Sequence, residues 1–289
     1  MYTLHKILCT LLITTAPLLA QESNEAVKTT KTTITETTRV IKKDSTEKVI
    51  LNGPQTLKYK SGATRIEGNY VEGKREGHFV SYYENGKKMG EGDYKNDMKN
   101  GMYSLYDKEG NIKFKGNYVN DVREGEGMMR IDGGDWYEGN FKNNQFEGKG
   151  IYHFEDGRRY EGDFVLNKFE GKGKVYRADN TLKYEGSYQQ NLQNGKGKYY
   201  TPNGEFYEGD FVDSKRQGKG IYTFKDGSTY EGDFVLNKRD GFGTFTYTSG
   251  KKYIGNWSNN KQHGEGKLLD PNGKILKEGT WEYGVFQKK

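Results

Sequence analysis

Apolar and polar positions alternate along most of this chain, and the alternation restarts at a fixed interval. Tyr137, Gly139 and Phe141 would share one face of an extended segment, with charged and amide side chains between them on the other face. A period of two predicts a β-strand. A second alternating segment spans residues 148–154, after a loop at 142–147. The pattern therefore predicts two strands in each repeat.

A dipeptide that ends in glycine closes most of the repeats. Asp156-Gly157 follows the second alternating segment, and Asn-Gly, Asp-Gly, Glu-Gly or Ser-Gly stands at the same place in other repeats. Glycine adopts positive φ without a steric penalty, and such dipeptides are typical of hairpin turns. We therefore predict a chain reversal at each of these pairs.

The glycine of the phrase Tyr-Glu-Gly marks the period. It recurs every 23 or 24 residues, at Gly68, Gly92, Gly116, Gly139, Gly162, Gly186, Gly209, Gly232, Gly255 and Gly279. A fixed period of this length indicates a repeat array in which each unit packs on its neighbours. We predict an all-β array of hairpins over residues 66–281. A degenerate leading half-repeat is expected at 51–65 and a C-terminal cap at 282–289.

The recurring glycines predict close contact with aromatic rings. Glycine has no side chain to pack, so its repetition within strands indicates that a ring of the neighbouring hairpin lies over it. We expect these rings to form a ladder whose exposed edges contact a binding partner. The alternative is that the rings form only the core. The candidate binding residues are Tyr137, Tyr152, Tyr160, Tyr184, Tyr207, Tyr222, Tyr230 and Tyr253.

The other face of the strands carries columns of charge. Exposed ion pairs stabilise little, so these columns are expected to pair loosely across each hairpin and to favour solubility over edge-to-edge aggregation. One column is acidic and the other basic: Glu138, Glu161, Glu185, Glu208 and Glu231, then Lys149, Lys172, Lys196 and Lys219.

Composition narrows the fold and the function. Of 289 residues, 32% are hydrophobic, 40 are glycine and 23 are tyrosine. A conventional two-layer domain has more aliphatic residues, and a disordered chain has fewer aromatic ones. The net charge of +6 comes from 46 basic and 40 acidic residues that are mostly interleaved. No strong basic excess marks one face, so nucleic acid is not an expected partner.

The N-terminus indicates export. Residues 1–20 resemble a secretory signal peptide, with a short basic start, an apolar run too short to span a membrane, and cleavage expected near Ala20. An uncleaved anchor is the alternative. Cleavage would remove Cys9, the one cysteine, and leave no thiol for a disulfide or a metal site. We expect a periplasmic, outer-envelope or secreted protein.

Residues 21–50 are rich in Thr, Lys and Glu and contain no aromatic residue. This composition predicts a flexible spacer between the export signal and the repeats. The alternative is an extended strand added to the edge of the array.

The repeated phrase resembles the MORN (membrane occupation and recognition nexus) repeat. The resemblance rests on Tyr-Glu-Gly-x-Phe, then Gly-x-Gly, then Asp-Gly or Asn-Gly, in register over residues 66–281. The first two repeats are variant, because Ile66 and Gly90 replace the leading tyrosine. The resemblance implies an elongated single-sheet solenoid of about nine to ten stacked antiparallel hairpins. It also implies an exported bacterial protein with roles in scaffolding, self-association or phospholipid contact, and no catalytic residues.

Candidate chemistry is sparse. His78, His153 and His263 stand in separate repeats, without metal-ligand spacing. The Gly-x-Gly phrases lie inside strands and do not precede a helix, so they do not predict a phosphate site. We expect no enzyme activity, no metal and no cofactor.

The leading functional hypothesis is a non-enzymatic scaffold or adhesion module of the cell envelope that binds a protein partner, with a homodimer through the terminal repeats as a further expectation. The alternative is a peripheral binder of anionic lipids, because basic residues recur in the hairpin loops and each adds about 1 kcal/mol near an anionic surface. Those residues are Lys168, Lys215, Arg216, Lys238, Arg239 and Lys261. Glycan binding is a third hypothesis, with fewer supporting residues.

Overall fold

The computed structural model describes residues 38–43 and 46–288. The predicted signal peptide and the first part of the predicted spacer lie outside these residues. The chain forms two compact units. The first unit comprises the described residues up to Asn111 together with Tyr118–Val122, and the second comprises Ile112–Asn117 and the described residues from Arg123 onward. Within the described ranges there is no helix that could span a membrane.

The first unit consists of strands joined by short turns. Its strands are β1 (Thr38–Lys43), β2 (Thr46–Leu51), β3 (Gly53–Lys58), β4 (Thr64–Val71), β5 (Lys74–Tyr82), β6 (Lys88–Lys95) and β7 (Met98–Tyr106), and the next strand, β8 (Ile112–Val119), contributes residues to both units.

The second unit holds the remaining strands. They are β9 (Val122–Arg130), β10 (Trp136–Lys142), β11 (Gln145–His153), β12 (Arg159–Val165), β13 (Lys168–Tyr176), β14 (Leu182–Gln189), β15 (Leu192–Tyr200), β16 (Phe206–Val212), β17 (Lys215–Thr223), β18 (Thr229–Val235), β19 (Lys238–Thr246), β20 (Lys252–Ser258), β21 (Lys261–Leu269), β22 (Ile275–Glu282) and β23 (Val285–Phe286).

Strands pair antiparallel with their neighbours in the chain. In the second unit this pairing runs without interruption from β9 to β23. In the first unit it runs from β3 to β7. The prediction of an all-β array of antiparallel hairpins is confirmed, with more hairpins than the nine to ten expected.

The predicted spacer is partly strand. Strands β1 and β2 pair with each other in a separate two-stranded sheet, with Val40 opposite Val49. The last part of the segment therefore has extended backbone, where β-branched residues cluster, and its flexibility stays a prediction. Strand β3 pairs with β4, and the leading half-repeat at 51–65 stays a prediction.

Each hairpin is tight at the end where the sequence predicted a loop. Strands β10 and β11 are joined only by Asn143 and Asn144, whose φ angles are 49° and 67°. Leu166 and Asn167 have φ angles of 50° and 66° between β12 and β13. Two positive φ angles define a type I′ turn, which matches the right-handed twist of a hairpin. The predicted loop at 142–147 is thus a two-residue turn.

Hydrogen bonds connect each tight turn to the preceding one. The Asn167 N–H donates to the Phe146 carbonyl at 3.1 Å, and the Phe146 N–H donates to Asn167 Oδ1 at 2.7 Å. Asn237 makes the same two contacts with the backbone of Arg216, both at 3.0 Å or less. These bonds offset the cost of positive φ at residues other than glycine, about 1–2 kcal/mol each.

The predicted glycine turns lie at the opposite end of the strands. Residues 154–158 join β11 to β12, with Gly157 at φ 84°. The Phe154 N–H donates to the Arg158 carbonyl at 2.9 Å, and the Gly157 N–H donates to the Phe154 carbonyl at 3.0 Å. The chain reversal predicted at Asp156-Gly157 is confirmed, although it is wider than a two-residue turn.

A single layer of aromatic rings covers one face of the second unit. Tyr160 stacks on Phe169 with ring centroids 3.8 Å apart, and it meets Phe164 and Tyr188 edge-to-face at 5.3 and 5.2 Å. The leading tyrosines of six repeats are 0% exposed. Aromatic pairs of this kind add about 0.5–1.5 kcal/mol each to the energy of burial, so this layer is the core.

The glycines lie under these rings, as predicted, but each ring belongs to the same hairpin as its glycines and not to the neighbouring one. A Cβ on Gly162 would lie 2.4 Å from the Tyr160 hydroxyl, and a Cβ on Gly173 would lie 2.3 Å from the same ring. Both glycines belong to the hairpin that carries Tyr160. The expectation of a ring from the neighbouring hairpin is wrong, because the ring lies flat over its own strand pair.

The two glycines of Gly-x-Gly serve different purposes. Gly171 has φ 61° beside the register shift between β12 and β13, so it permits a β-bulge. Gly173 instead makes room for the ring of Tyr160. The bulge shifts the register between β12 and β13.

The two variant repeats obtain their ring from the other strand. Ile66 replaces the leading tyrosine, but a Cβ on Gly68 would lie 2.3 Å from Phe79, which stands where other repeats have the second glycine. Tyr103 covers Gly92 in the same way. In these two hairpins the covering ring stands on the second strand instead of the first. The aromatic layer is therefore continued without the usual tyrosine.

Candidate functional site

The predicted tyrosine ladder is buried. Tyr137, Tyr160, Tyr184, Tyr207, Tyr230 and Tyr253 are each 0% exposed, Tyr152 is also buried, and Tyr222 is half-buried. The expectation of exposed ring edges is therefore wrong for seven of the eight residues. Their faces are covered by phenylalanine, tyrosine and tryptophan from the same and the adjacent hairpins.

The hydroxyls of the ladder are also occupied. The Tyr160 hydroxyl donates to the Asp163 carbonyl at 2.9 Å, and the Tyr207 hydroxyl donates to the Asp210 carbonyl at 2.9 Å. Burial raises the pKa of Tyr207 to about 12 and raises that of Tyr160 further. These groups stay neutral and serve the core.

The predicted basic loops divide into two kinds of side chain. Four lysines are exposed beside the tight turns: Lys168, Lys215, Lys238 and Lys261. The two arginines pack back on aromatic rings, with the Arg239 guanidinium 4.6 Å from the Trp257 ring centroid and that of Arg216 5.2 Å from Tyr222. Burial lowers the pKa of Arg239. The arginines thus contribute to packing, and only the lysines remain accessible.

The charged face of the second unit forms an open groove of about 1310 Å³. Its floor consists of paired glycines, such as Gly162 with Gly173 and Gly209 with Gly220. Two rows of side chains rise from this floor and run across the strands. The lining residues that are not glycine are Lys149, Glu161, Lys172, Lys174, Tyr176, Glu185, Lys196, Lys198, Glu208, Lys219, Ile221, Glu231, Phe242 and Thr244.

The first row, which we call the Lys–Asp row, consists of five cross-strand positions. Three of them are ion pairs with N–O distances of 2.6, 2.8 and 2.7 Å: Lys149 with Asp163, Lys196 with Asp210, and Lys219 with Asp233. The remaining two positions of this row are Lys172 with Ser187, and Phe242 with Asn256. The lysine column therefore pairs with aspartates, and the expected pairing with the glutamate column is wrong.

The second row, the Lys–Glu row, gives the glutamates other partners. Lys174 Nζ lies 3.6 Å from Glu185, and Lys198 Nζ lies 3.1 Å from Glu208. The hydrogen bond to Glu208 raises the pKa of Lys198. At the next position of the row Ile221 faces Glu231, which forms no ion pair with any cation in the described part of the chain.

The rows are interrupted at Lys172, Ile221 and Phe242. The Lys–Glu row has two further positions without a cross-strand ion pair, Ile151 opposite Glu161 and Thr244 opposite Ile254. Lys172 Nζ donates to the Ser187 hydroxyl at 2.9 Å and forms no ion pair with a described carboxylate. Ile221 and Phe242 are 40% and 53% exposed. An exposed phenylalanine inside a row of ion pairs has no structural reason. The sequence signal was present at the middle position of Gly-x-Gly, which is lysine in four successive repeats and phenylalanine in Gly241-Phe242-Gly243.

The histidines are not brought together. His78 Nδ1 lies 3.1 Å from Asp93, and His153 stacks on Trp136 with ring centroids 3.6 Å apart. In the ranges that the structure describes, no group of three or more metal-ligating side chains forms a site.

Eight segments match the family model described as MORN repeat. They are residues 67–87, 114–136, 137–158, 160–182, 184–206, 207–229, 230–252 and 253–275, more than half of the chain. The chain belongs to the MORN repeat family. The unmatched interval between 87 and 114 contains the MORN hairpin in which Tyr103 has exchanged strands with glycine.

Similarity to other proteins is otherwise low. No curated protein matches the sequence. The chain is similar to the TCP domain of SAS-4 from Drosophila melanogaster, solved in complex with a proline-rich motif of Ana2, at 16% identity and a TM-score of 0.35, over 54% of this chain and 85% of that one. It is also similar to the TCP10 domain of CPAP from Danio rerio, at 13% identity and a TM-score of 0.28, over 78% and 100% of the two chains.

Proposed function

We propose that this MORN protein is a non-enzymatic scaffold of the cell envelope that binds a protein partner in the groove of its second unit. The observation that carries the proposal is the groove itself, a glycine floor between two rows of charged side chains. The predicted signal peptide supports export. The tyrosine ladder shapes the groove from behind and does not contact the partner.

The dimensions of the groove suit a polypeptide. It extends from β11 to β19, eight strand spacings of about 4.8 Å, or roughly 38 Å along the sheet. The glycine floor allows a partner to approach the backbone closely. Paired lysines and carboxylates present both signs of charge along this length, which favours specificity of docking over strong attraction.

Photocrosslinking tests this proposal. A benzophenone amino acid is placed at Thr244 or Lys198 in the groove, or as a control at Lys225, which is exposed in the loop between β17 and β18. The full chain is then expressed in its native host cells. We expect a discrete protein adduct from both groove positions and none from Lys225. Adducts from none of the positions, or equally from all three, would contradict a protein-binding groove.

A membrane surface is the second candidate, favoured by the tight turns. Leu166 and Leu236 are each 59% exposed at turn tips, beside the exposed Lys168 and Lys238. Apolar tips flanked by lysine match the chemistry of a peripheral contact with anionic headgroups, where each base adds about 1 kcal/mol.

Vesicle co-sedimentation distinguishes this candidate. If the turns contact lipid, the full chain should pellet with vesicles that contain phosphatidylglycerol, and the bound fraction should fall with salt. Lys168→Glu with Lys238→Glu should then weaken binding at least tenfold. The control pair, Lys225→Glu with Lys251→Glu, changes the same charge at the opposite ends of the strands. Binding that ignores salt, or that responds equally to both pairs, would exclude the turns as the lipid site.

A further inference from the structure

Three interruptions of the charged rows, at Lys172, Ile221 and Phe242, lie at two separate places in the groove. Lys172 is on β13, and Ile221, Glu231 and Phe242 are on β17, β18 and β19. The strands from β13 to β19 span six spacings of about 4.8 Å, or roughly 29 Å. The interruptions therefore form two poles, a cationic pole at Lys172 and an apolar and acidic pole at Ile221, Glu231 and Phe242.

The cationic pole arises because one repeat has a serine, Ser187, where its neighbours have an aspartate. In the positions on either side, Lys149 and Lys196 donate to aspartates at 2.6 and 2.8 Å. Ser187 stands where those positions have aspartate, and it supplies only a hydroxyl at 2.9 Å. A neutral hydroxyl leaves the charge of Lys172 available, and a carboxylate of a ligand would complete the ion pair that its neighbours already have.

The second pole combines exposed apolar side chains with an acid. Phe242 is 53% exposed and Ile221 is 40% exposed, and Glu231 lies on the strand between theirs. Exposed aromatic side chains in a concave surface are frequent anchors of protein interfaces. Glu231 faces Ile221 and Thr244 across the strands, so no described cation neutralises it. A cation on a ligand would therefore neutralise Glu231.

We propose that the groove binds an extended or helical segment of a partner protein whose two ends differ, with a carboxylate that pairs with Lys172 and an apolar residue beside a cation that contacts Phe242, Ile221 and Glu231. The inference rests on the proposed function and adds the residues that select the partner. The ion pairs between the poles are satisfied within the chain, so they position the segment without selecting it. Charge complementarity at the poles fixes its direction along the groove.

The spacing of the two groups follows from the distance between the poles. An extended chain rises about 3.3 Å per residue, so about nine residues would span the roughly 29 Å between the poles. An α-helix rises about 1.5 Å per residue and would need about nineteen.

The test uses variants that make the rows regular and so leave the fold intact. Ser187→Asp recreates the ion pair of Lys172, and Phe242→Lys with Asn256→Asp recreates the fifth Lys–Asp position. Exposed ion pairs change stability little, so the thermal midpoint should stay unchanged. Met102→Lys is the matched control, because Met102 is 55% exposed in a hairpin of the first unit, outside the groove.

The probe is a phage-displayed library of random peptides of about 24 residues, selected on the purified full chain. We expect the enriched peptides to carry an acidic residue separated by about nine or about nineteen residues from an apolar and basic pair. Ser187→Asp and Phe242→Lys with Asn256→Asp should each weaken their binding at least tenfold, and Met102→Lys should leave it unchanged.

The outcome separates this inference from the proposed function. No enrichment, enriched peptides without the two groups, or peptides that bind the regularised variants as well as the parent chain, would overturn the two-pole site. Groove crosslinks from Thr244 and Lys198 that persist in the regularised variants would also overturn it, while the scaffold proposal would stand. Absence of those crosslinks in the parent chain would overturn the scaffold proposal itself.

Discussion

Gly173→Ala should destabilise the second unit by about 3 kcal/mol, at the upper end of the range for overpacked cores. The new Cβ would lie 2.3 Å from Tyr160, closer than any real contact. The ring cannot move away, because it stacks on Phe169 at 3.8 Å and its hydroxyl is hydrogen-bonded to the Asp163 carbonyl. Gly220→Ala should act alike, since its Cβ would lie 2.4 Å from Tyr207. The free energy of unfolding of both variants, measured by urea denaturation, checks this prediction.

Gly148→Ala is the matched control in the same repeated phrase. Gly148 has φ 69°, and its Cβ would meet nothing closer than Asn140 at 4.0 Å. The cost is then only that of positive φ, about 1–2 kcal/mol, partly offset by the stiffer unfolded chain. If Gly148→Ala and Gly173→Ala lowered the free energy of unfolding equally, the two glycines of Gly-x-Gly would not have the different roles described above.

The sequence could predict the hairpins because their determinants are local. Period-two alternation predicts the strands, and the repeat of 23 or 24 residues predicts their order along the chain. Glycine repeated within a strand correctly indicated a ring above it. What the alternation could not show is which partner each side chain meets, because that depends on the pairing between strands. Lys149 lies opposite Asp163 in the β11–β12 pair, and Lys174 lies opposite Glu185 in the β13–β14 pair.

The tight turns were missed because their residues do not look like turn residues. Leu166-Asn167 and Asp213-Ser214 contain no glycine, and yet all four residues have positive φ. Hydrogen bonds from one turn to the next supply the stabilisation, and these join residues about 21 positions apart in the chain. A contact of this range is not visible in a local pattern. It does have a signal, an Asn, Asp or Ser at the second turn position in nearly every repeat.

The expectation of exposed tyrosine rings was wrong for a related reason. Alternation shows which residues share a face but not which face is covered. Tyrosine and lysine both recur in register, and aromatic enrichment alone favoured the tyrosines as anchors. The structure covers the tyrosine face and opens the charged one. On the charged face, the informative residues are those that differ from the repeat, such as Ser187 and Phe242. A consensus pattern does not show these differences.

The second large effect is expected in alkali, because the core is made of tyrosine. Burial raises the pKa of Tyr207, Tyr222 and Tyr253 from 10.0 to about 12, with a hydrogen bond to Glu205 adding to the shift of Tyr222. The unfolded chain releases these protons near pH 10, whereas the folded chain retains them. The stabilisation is therefore complete below pH 10 and is lost as the pH rises from about 10 towards 12. Tyr137 and Tyr160 add to the loss, because burial raises their pKa still further.

We expect one steep alkaline transition in which the phenolate absorbance and the loss of the β-sheet circular dichroism coincide. Tyr207→Phe with Tyr230→Phe should move the midpoint to higher pH, because two buried groups no longer titrate. At neutral pH the same double variant should lose about 1 kcal/mol for each hydrogen bond to the Asp210 and Asp233 carbonyls. Titration of all tyrosines near pH 10 with the sheet intact would show that the rings are accessible to water. In that case the aromatic layer would be a surface, and the tyrosine face would again be a candidate for partner binding.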